Sequence, residues 1–273
     1  MTSHYFENAL VKLHYYKFGT GTQTMLCFHG YGMHGKQFIS LEPALGGKYT
    51  FIGFDLFFHK ETKLHDQTLV AVKNPITKKA FADLVAEFCA FENIDRFSVI
   101  GYSMGSHFAT VIVEEMGSRV DEYIVAAPSS IEPGLLIRAF SKYKLGNKLL
   151  ERFTQSEKAL INVLNFSKRL GLIDDVGRNI LYKEIDTTEL RFNLYASFTY
   201  LRLFETDEAK LISTLIEQNI RSIFIFGKRD AMYPPRIGTE FLKKLPKAEV
   251  IILDKDHEMI DKDFITALAG LLL

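Results

Sequence analysis

Gly101-Tyr102-Ser103-Met104-Gly105 stands where a short apolar run, Phe97-Ser98-Val99-Ile100, passes into a longer helical pattern beginning at Met104. A G-x-S-x-G sequence at a strand-to-helix junction holds its serine in a strained, tight turn. The small residues two places before and after it let strand and helix approach without Cβ clashes. Ser103 is therefore the candidate nucleophile. The other use of a serine here is to cap the helix that follows, and the pentapeptide alone does not choose between the two.

The surrounding chain supplies the context. Upstream, Val11, Leu13 and Tyr15 alternate with Lys12 and His14 as in a half-buried strand, and Gly19-Thr20-Gly21 turns the chain back. Met25-Leu26-Cys27-Phe28 is a continuous apolar run, suited to a strand buried on both faces, and it ends in His29-Gly30-Tyr31-Gly32. A helical stretch is expected at about 36–45, an apolar strand at 49–56, and an amphipathic helix at 76–91 carrying Phe81, Leu84, Val85 and Phe88. Downstream of Ser103 a helix runs to about 116, and a strand at 123–127 is closed by Pro128. This alternation is that of a parallel α/β sheet.

The pattern changes at 129, and no convincing strand follows until after about 206; helical stretches are expected at 135–153, 157–170 and 188–204. Strands resume at 222–226 and 250–253, with helical segments at 207–218, 235–245 and 261–273. The fold class is α/β, a mostly parallel doubly wound sheet. Residues 1–128 plus 211–273 form its core, and residues 129–210 form an all-helical insertion packed over one end.

Composition narrows the function. The chain has 273 residues, 47% of them apolar, with 33 lysines and arginines balancing 33 aspartates and glutamates. A net charge of zero supports neither nucleic-acid binding nor electrostatic attachment to a membrane. Cys27 and Cys89 lack metal or redox spacing and read as buried thiols of a reducing compartment. His4, Glu7, Lys12 and His14 break up residues 1–18, so no secretory apolar segment is expected there. No run reaches the roughly 18 apolar residues of a membrane span. A cytoplasmic protein is the expectation.

In an open parallel sheet, ligand groups gather beyond the carboxyl ends of the strands. Asp230 falls there in Gly227-Lys228-Arg229-Asp230, and His257 in Asp254-Lys255-Asp256-His257-Glu258. His29-Gly30-Tyr31-Gly32 falls there after an earlier strand. Alone, the aspartate reads as a turn residue and the histidine as a surface or structural one. Together with Ser103 they give the chain order nucleophile, acid, base.

On these residues the chain resembles the α/β-hydrolase fold superfamily over essentially its whole length, with the insertion in the place of the family's helical cap. The resemblance implies that Ser103 is the nucleophile, His257 the general base and Asp230 the group that orients the imidazole. It also implies an oxyanion hole from the backbone N–H groups of Tyr31 and Met104. Two departures stand out. Residues 54–62, Phe-Asp-Leu-Phe-Phe-His-Lys-Glu-Thr, keep the aspartate of a D-x-P-G-x-G-x-S-like loop but lack its proline and both glycines. Asp256 stands where a glycine often precedes the catalytic histidine.

Some relatives carry the acid before the cap, where this chain offers Pro128-Ser129-Ser130 and then Glu132; Asp230 is the better candidate. His34, His59, His65 and His107 lack metal-ligand spacing, and Gly19-Thr20-Gly21 falls short of a phosphate loop. No metal or cofactor is expected. In the insertion, Phe192, Leu194, Tyr195, Phe198 and Leu201 serve as core or as an acyl pocket, and Arg138, Lys142, Lys144 and Lys148 read as a solvated helix face. The expected activity is a serine hydrolase of a small to medium ester, thioester or related acyl substrate. The alternatives are C–C bond hydrolysis or a lyase-type reaction with the same residues, and a non-catalytic ligand receptor on the same scaffold.

Overall fold

A computed structural model of the chain describes residues 1–173 and 175–273. Among them the strands are β1 (Thr2–Glu7), β2 (Val11–Phe18), β3 (Gln23–Phe28), β4 (Tyr49–Phe54), β5 (Lys63–Leu64), β6 (Phe97–Tyr102), β7 (Val120–Ala126), β8 (Arg221–Gly227) and β9 (Glu249–Leu253). They form one sheet in the order β1-β2-β4-β3-β6-β7-β8-β9, with β5 paired to β2. All neighbours from β4 to β9 are parallel. The pairings of β2 with β1, β4 and β5 are antiparallel.

The helices follow the sheet's alternation. α1 (Glu42–Leu45) lies between β3 and β4, α2 (Leu69–Val72) and α3 (Lys78–Phe91) lie between β4 and β6, and α4 (Gly105–Met116) follows β6. After β7 come α5 (Leu135–Lys142), α6 (Lys144–Thr154), α7 (Glu157–Arg169), α8 (Asp175–Lys183) and α9 (Thr188–Tyr200), with no strand among the described residues. Position 174 of the expected insertion lies outside those residues. The chain returns through α10 (Glu208–Glu217), α11 (Thr239–Leu242) and α12 (Lys262–Leu272).

The central strands read as unbroken apolar runs because both faces are covered. All six residues of β6 are buried. Phe97 and Val99 enter one core, where Phe81 and Phe88 of α3, Phe108 and Ile112 of α4, and Leu211 and Leu215 of α10 meet them. Ile100 and Tyr102 enter the other, closed by Leu45 of α1 and by Phe264 and Leu268 of α12. Burying such a side chain contributes roughly 1.5 to 3 kcal/mol. Cys27 and Cys89 are both buried and free.

The inserted helices are fastened to the core by aromatic rings. Tyr200 of α9 packs edge-on against Phe57 at 5.9 Å and Phe58 at 5.5 Å, and its carbonyl accepts the Ile76 N–H at 3.0 Å. Several elements differ from expectation. The helix expected at 36–45 is a 3-10 turn at Ile39–Leu41 followed by the four residues of α1, ended by Gly46-Gly47. The helix expected at 135–153 breaks at Tyr143, whose ψ of 125° is extended. β1 and α8 were not anticipated. β1 is mostly exposed, so its sequence carries no clean alternation, and α8 is nine residues long with Gly177 inside it.

Candidate active site

β3, β6, β8 and β9 belong to the parallel part of the sheet and so end on one edge. That edge gathers the loops beginning at His29, Ser103, Lys228 and Asp254. The elbow itself depends on absent side chains. A Cβ on Gly105 would lie 1.9 Å from the Phe28 carbonyl oxygen, and one on Gly101 would lie 2.5 Å from the Gly105 oxygen. The N-terminus of α4 therefore rests directly on the end of β3.

Ser103 has φ of +50°, a left-handed conformation that an L-residue holds only under constraint. The constraint is visible in its backbone bonds. Its N–H donates to the Ala126 carbonyl at 2.9 Å, and its own carbonyl accepts Ser106 N–H at 2.9 Å, Ser106 Oγ at 2.6 Å and Ser129 Oγ at 2.8 Å. The N-terminus of α4 has no side-chain cap. The capping use of Ser103 is therefore not what the fold adopts.

Ser103 Oγ instead lies 3.1 Å from His257 Nε2, and His257 Nδ1 lies 2.8 Å from Asp230 Oδ2. All three side chains are buried. The other carboxylate oxygen of Asp230 accepts the N–H groups of Met232 and Tyr233, both at 2.9 Å. That arrangement fixes the carboxylate plane and leaves one oxygen for the imidazole. It also sets the tautomer: Nδ1–H donates to Asp230, so Nε2 is the free base facing the hydroxyl.

Asp230 and His257 meet because the loops after β8 and β9 are stitched together. Lys228 N–H donates to Leu253 O at 2.7 Å and Arg229 N–H to Lys255 O at 2.8 Å. Gly227 admits the crossing, since a Cβ there would lie 2.7 Å from the Lys255 oxygen. Asp256, in the place of the usual glycine, accepts Glu258 N–H through Oδ1 at 3.1 Å and so builds the turn with its side chain. Asp254 and Glu258 are exposed, as is Glu132, the other acid considered. Sequence reasoning missed Tyr102, whose hydroxyl donates to the His257 carbonyl, and Tyr233, whose ring centroid lies 5.6 Å from the imidazole. Tyr102 adjoins Ser103 and Tyr233 lies three residues after Asp230, but only the fold shows what each touches.

The Tyr31 and Met104 N–H groups have no acceptor among the described residues outside regular helix and strand bonding. Gly30, just before Tyr31, lies against the elbow; a Cβ on it would be 3.6 Å from Ser103 Cβ and 2.8 Å from the Tyr102 ring. Two imidazoles brace this loop. His29 Nδ1–H donates to Gly30 O at 2.7 Å while its Nε2 accepts Leu56 N–H at 3.0 Å. His59 Nδ1–H donates to Phe57 O at 2.9 Å while its Nε2 accepts Gly32 N–H at 3.1 Å. Burial pushes the His29 pKa well down and that of His59 down to about 4, so both rings are neutral near pH 7. From the insertion, Glu184 reaches the same loop: a Cβ on Gly32 would lie 3.0 Å from its carboxyl group. Burial raises the pKa of that carboxyl. Among the described residues, no group of three or more His, Cys, Asp or Glu could hold a metal ion.

Known proteins show the same framework. A hydrolase of uncharacterised activity from Bacillus subtilis, YugF, is 23% identical over 256 residues, spanning 89% of this chain and 86% of that protein. A probable hydrolytic enzyme from Pseudomonas aeruginosa superposes with a TM-score of 0.72 at 14% identity, covering 100% of this chain and 94% of that one. A structure from Nitrososphaera gargenis, described with the activity profiles of carboxylesterases, gives a TM-score of 0.65 at 16% identity, covering 98% and 97% of the two chains. The family described as alpha/beta hydrolase fold matches residues 23–264. A match of that extent, on a parallel sheet whose strand ends carry the serine elbow, places the chain in the α/β-hydrolase fold family.

Proposed function

We propose that the protein is a serine hydrolase of a small to medium ester, thioester or related acyl substrate. The observation that carries this reading is the continuous contact from Ser103 Oγ through His257 to Asp230, at 3.1 and 2.8 Å. A serine hydroxyl is a poor nucleophile near neutral pH, so a base within about 3.2 Å must take its proton as attack proceeds. His257 Nε2 is that base, and the Asp230 carboxylate stabilises the imidazolium that results.

As the Ser103 oxygen bonds to the substrate's carbonyl carbon, the carbonyl electron pair moves onto oxygen. The Tyr31 and Met104 N–H groups receive that charge, aided by the N-terminus of α4. Collapse of the tetrahedral species breaks the bond to the leaving alkoxide or thiolate, which takes the proton from His257. Water then repeats the sequence on the acyl-Ser103, and the acid and Ser103 are released. No step calls for a cofactor. Residues 129–210 act as a cap over this centre, consistent with Ser103 being only 8% exposed.

A fluorophosphonate probe tests the reading. Labelling is expected at Ser103 and to vanish in Ser103→Ala, whose turnover of an aryl ester should fall by a factor on the order of 10⁴ or more. A folded protein that remains unlabelled, or a Ser103→Ala variant with full esterase activity, would overturn it.

A further inference from the structure

The zero net charge of the whole chain conceals a local imbalance. From 135 to 152 the sequence carries Arg138, Lys142, Lys144, Lys148 and Arg152 against a single acid, Glu151. Glu151 is paired to Lys73 at 2.9 Å and Lys142 to Glu205 at 3.3 Å. Arg138, Lys144, Lys148 and Arg152 are exposed and have no acidic partner among the described residues.

Large apolar side chains are exposed on the same two helices and the joint between them. Leu135 is 65% accessible, Tyr143 59%, Leu145 81% and Leu149 42%. On α6 the placement follows the helical period. Lys144, Lys148 and Arg152 form one outward stripe, Leu145 and Leu149 the stripe beside it, and Leu150 is buried. Leucines in water flanked by long cationic stems match a helix lying in a lipid interface, where lysines reach up to anionic headgroups while the leucines enter the acyl boundary. A protein partner fits less well, since the buried centres of protein interfaces are depleted in lysine. A merely solvated face, as expected from the sequence, would not expose four large apolar groups together.

The face starts close to the candidate active site. A Cβ on Gly134, the residue before α5, would lie 4.0 Å from Tyr233 Oη, and the Tyr233 ring lies 5.6 Å from that of His257. We propose that the α5–α6 face docks on an anionic lipid surface, with Leu135, Tyr143, Leu145 and Leu149 inserted and Arg138, Lys144, Lys148 and Arg152 on the headgroups. The attachment is peripheral, since no described helix is long and apolar enough to cross a membrane. Docking does not depend on the chemistry at Ser103; the corollary that the acyl substrate is drawn from the lipid layer rests on the proposed hydrolase reading.

Co-sedimentation of the full chain with vesicles of mixed phosphatidylglycerol and phosphatidylcholine, against phosphatidylcholine alone, tests the docking. Binding is expected to favour the anionic vesicles by about tenfold or more and to weaken as salt rises. Lys144→Gln with Lys148→Gln should lower it by a factor on the order of twenty, and Leu145→Ser with Leu149→Ser by about tenfold or more. Ser103→Ala should bind as the wild type does. Equal binding to both vesicle types, insensitivity to salt, or unchanged binding in both double variants overturns the proposal, as does absence of vesicle binding with the face closed in a dimer by light scattering. Because binding is read without turnover, vesicle binding by a protein that no fluorophosphonate labels would sink the hydrolase reading and leave the docking surface standing.

Discussion

Phe58 and Lys60 have φ of +64° and +48°, at the two places where the loop pattern of the family carries glycine. The backbone keeps the shape while the side chains change, and each L-residue held there costs about 1 to 2 kcal/mol. The two differ in what they receive in return. Phe58 is buried with its ring 5.5 Å from Tyr200 of α9, so it ties the inserted helices to the core. Lys60 is exposed. Lys60→Gly should therefore raise stability by about 0.5 kcal/mol, the relief being partly offset by the greater freedom of glycine in the unfolded chain. Phe58→Gly should lower it by about 2 kcal/mol through lost burial. Urea midpoints at fixed slope read both, and shifts of the same sign would contradict the assignment. The strain at Ser103 is legible from the glycines around it. That at 58 and 60 is not, since nothing in Phe-Phe-His-Lys announces a left-handed backbone; the sequence showed a departure from a pattern, and the fold showed the pattern's shape retained.

At the level of elements, the periodic signal located helices better than it divided them. Residues 135–153 keep an apolar period throughout, yet α5 ends at Lys142 and α6 turns back against it. The reversal depends on Gly146, where a Cβ would lie 2.0 Å from the Ala139 carbonyl oxygen, and Asn147 Nδ2 secures it by donating to Phe140 O at 3.0 Å. A glycine inside a helical run reads as a mild weakness in sequence, and its use as a point of close approach appears only when the second helix is in place. The Gly146→Ala variant must push the two helices apart. Amide exchange should accelerate by at least about tenfold across 135–154 while β3 and β6 stay protected to the same extent, because the backbones of those strands are paired within the sheet and not with the hairpin. Uniform acceleration over the whole chain would show instead that the hairpin and the sheet unfold as one unit. The central strands, by contrast, were legible from their apolar runs, since burial on both faces leaves little room for polar residues.

For the molecule as a whole, periodicity gave the alternation of strands and helices but not the strand order, which depends on pairings between distant segments. It also could not say which of the eight histidines are buried. That distinction governs how stability responds to acid. The loops after β3 and β4 are joined through His29 and His59, each neutral, each donating through Nδ1 and accepting through Nε2, with ring centroids 5.0 Å apart. For His59 the unfolded chain takes up a proton below the usual value of 6.5, and the folded chain only near 4, because burial penalises the charged ring. Between those values the unfolded state binds more protons, so stability rises with pH. The contribution is whole above about 6.5 and is lost as pH falls toward 4. Protonation also puts a hydrogen on Nε2, which can then no longer accept the Gly32 N–H beside Tyr31. Carboxylates and other histidines add their own pH dependence, so the contribution of His59 is isolated by comparison with His59→Gln, which cannot titrate. From pH 7.5 to 4.5 the wild type should lose about 2 to 3 kcal/mol more unfolding free energy than the variant. Equal losses in urea titrations at the two pH values would mean that the ring is solvated or already charged in the fold, and that the bond to Gly32 is not held by a neutral imidazole.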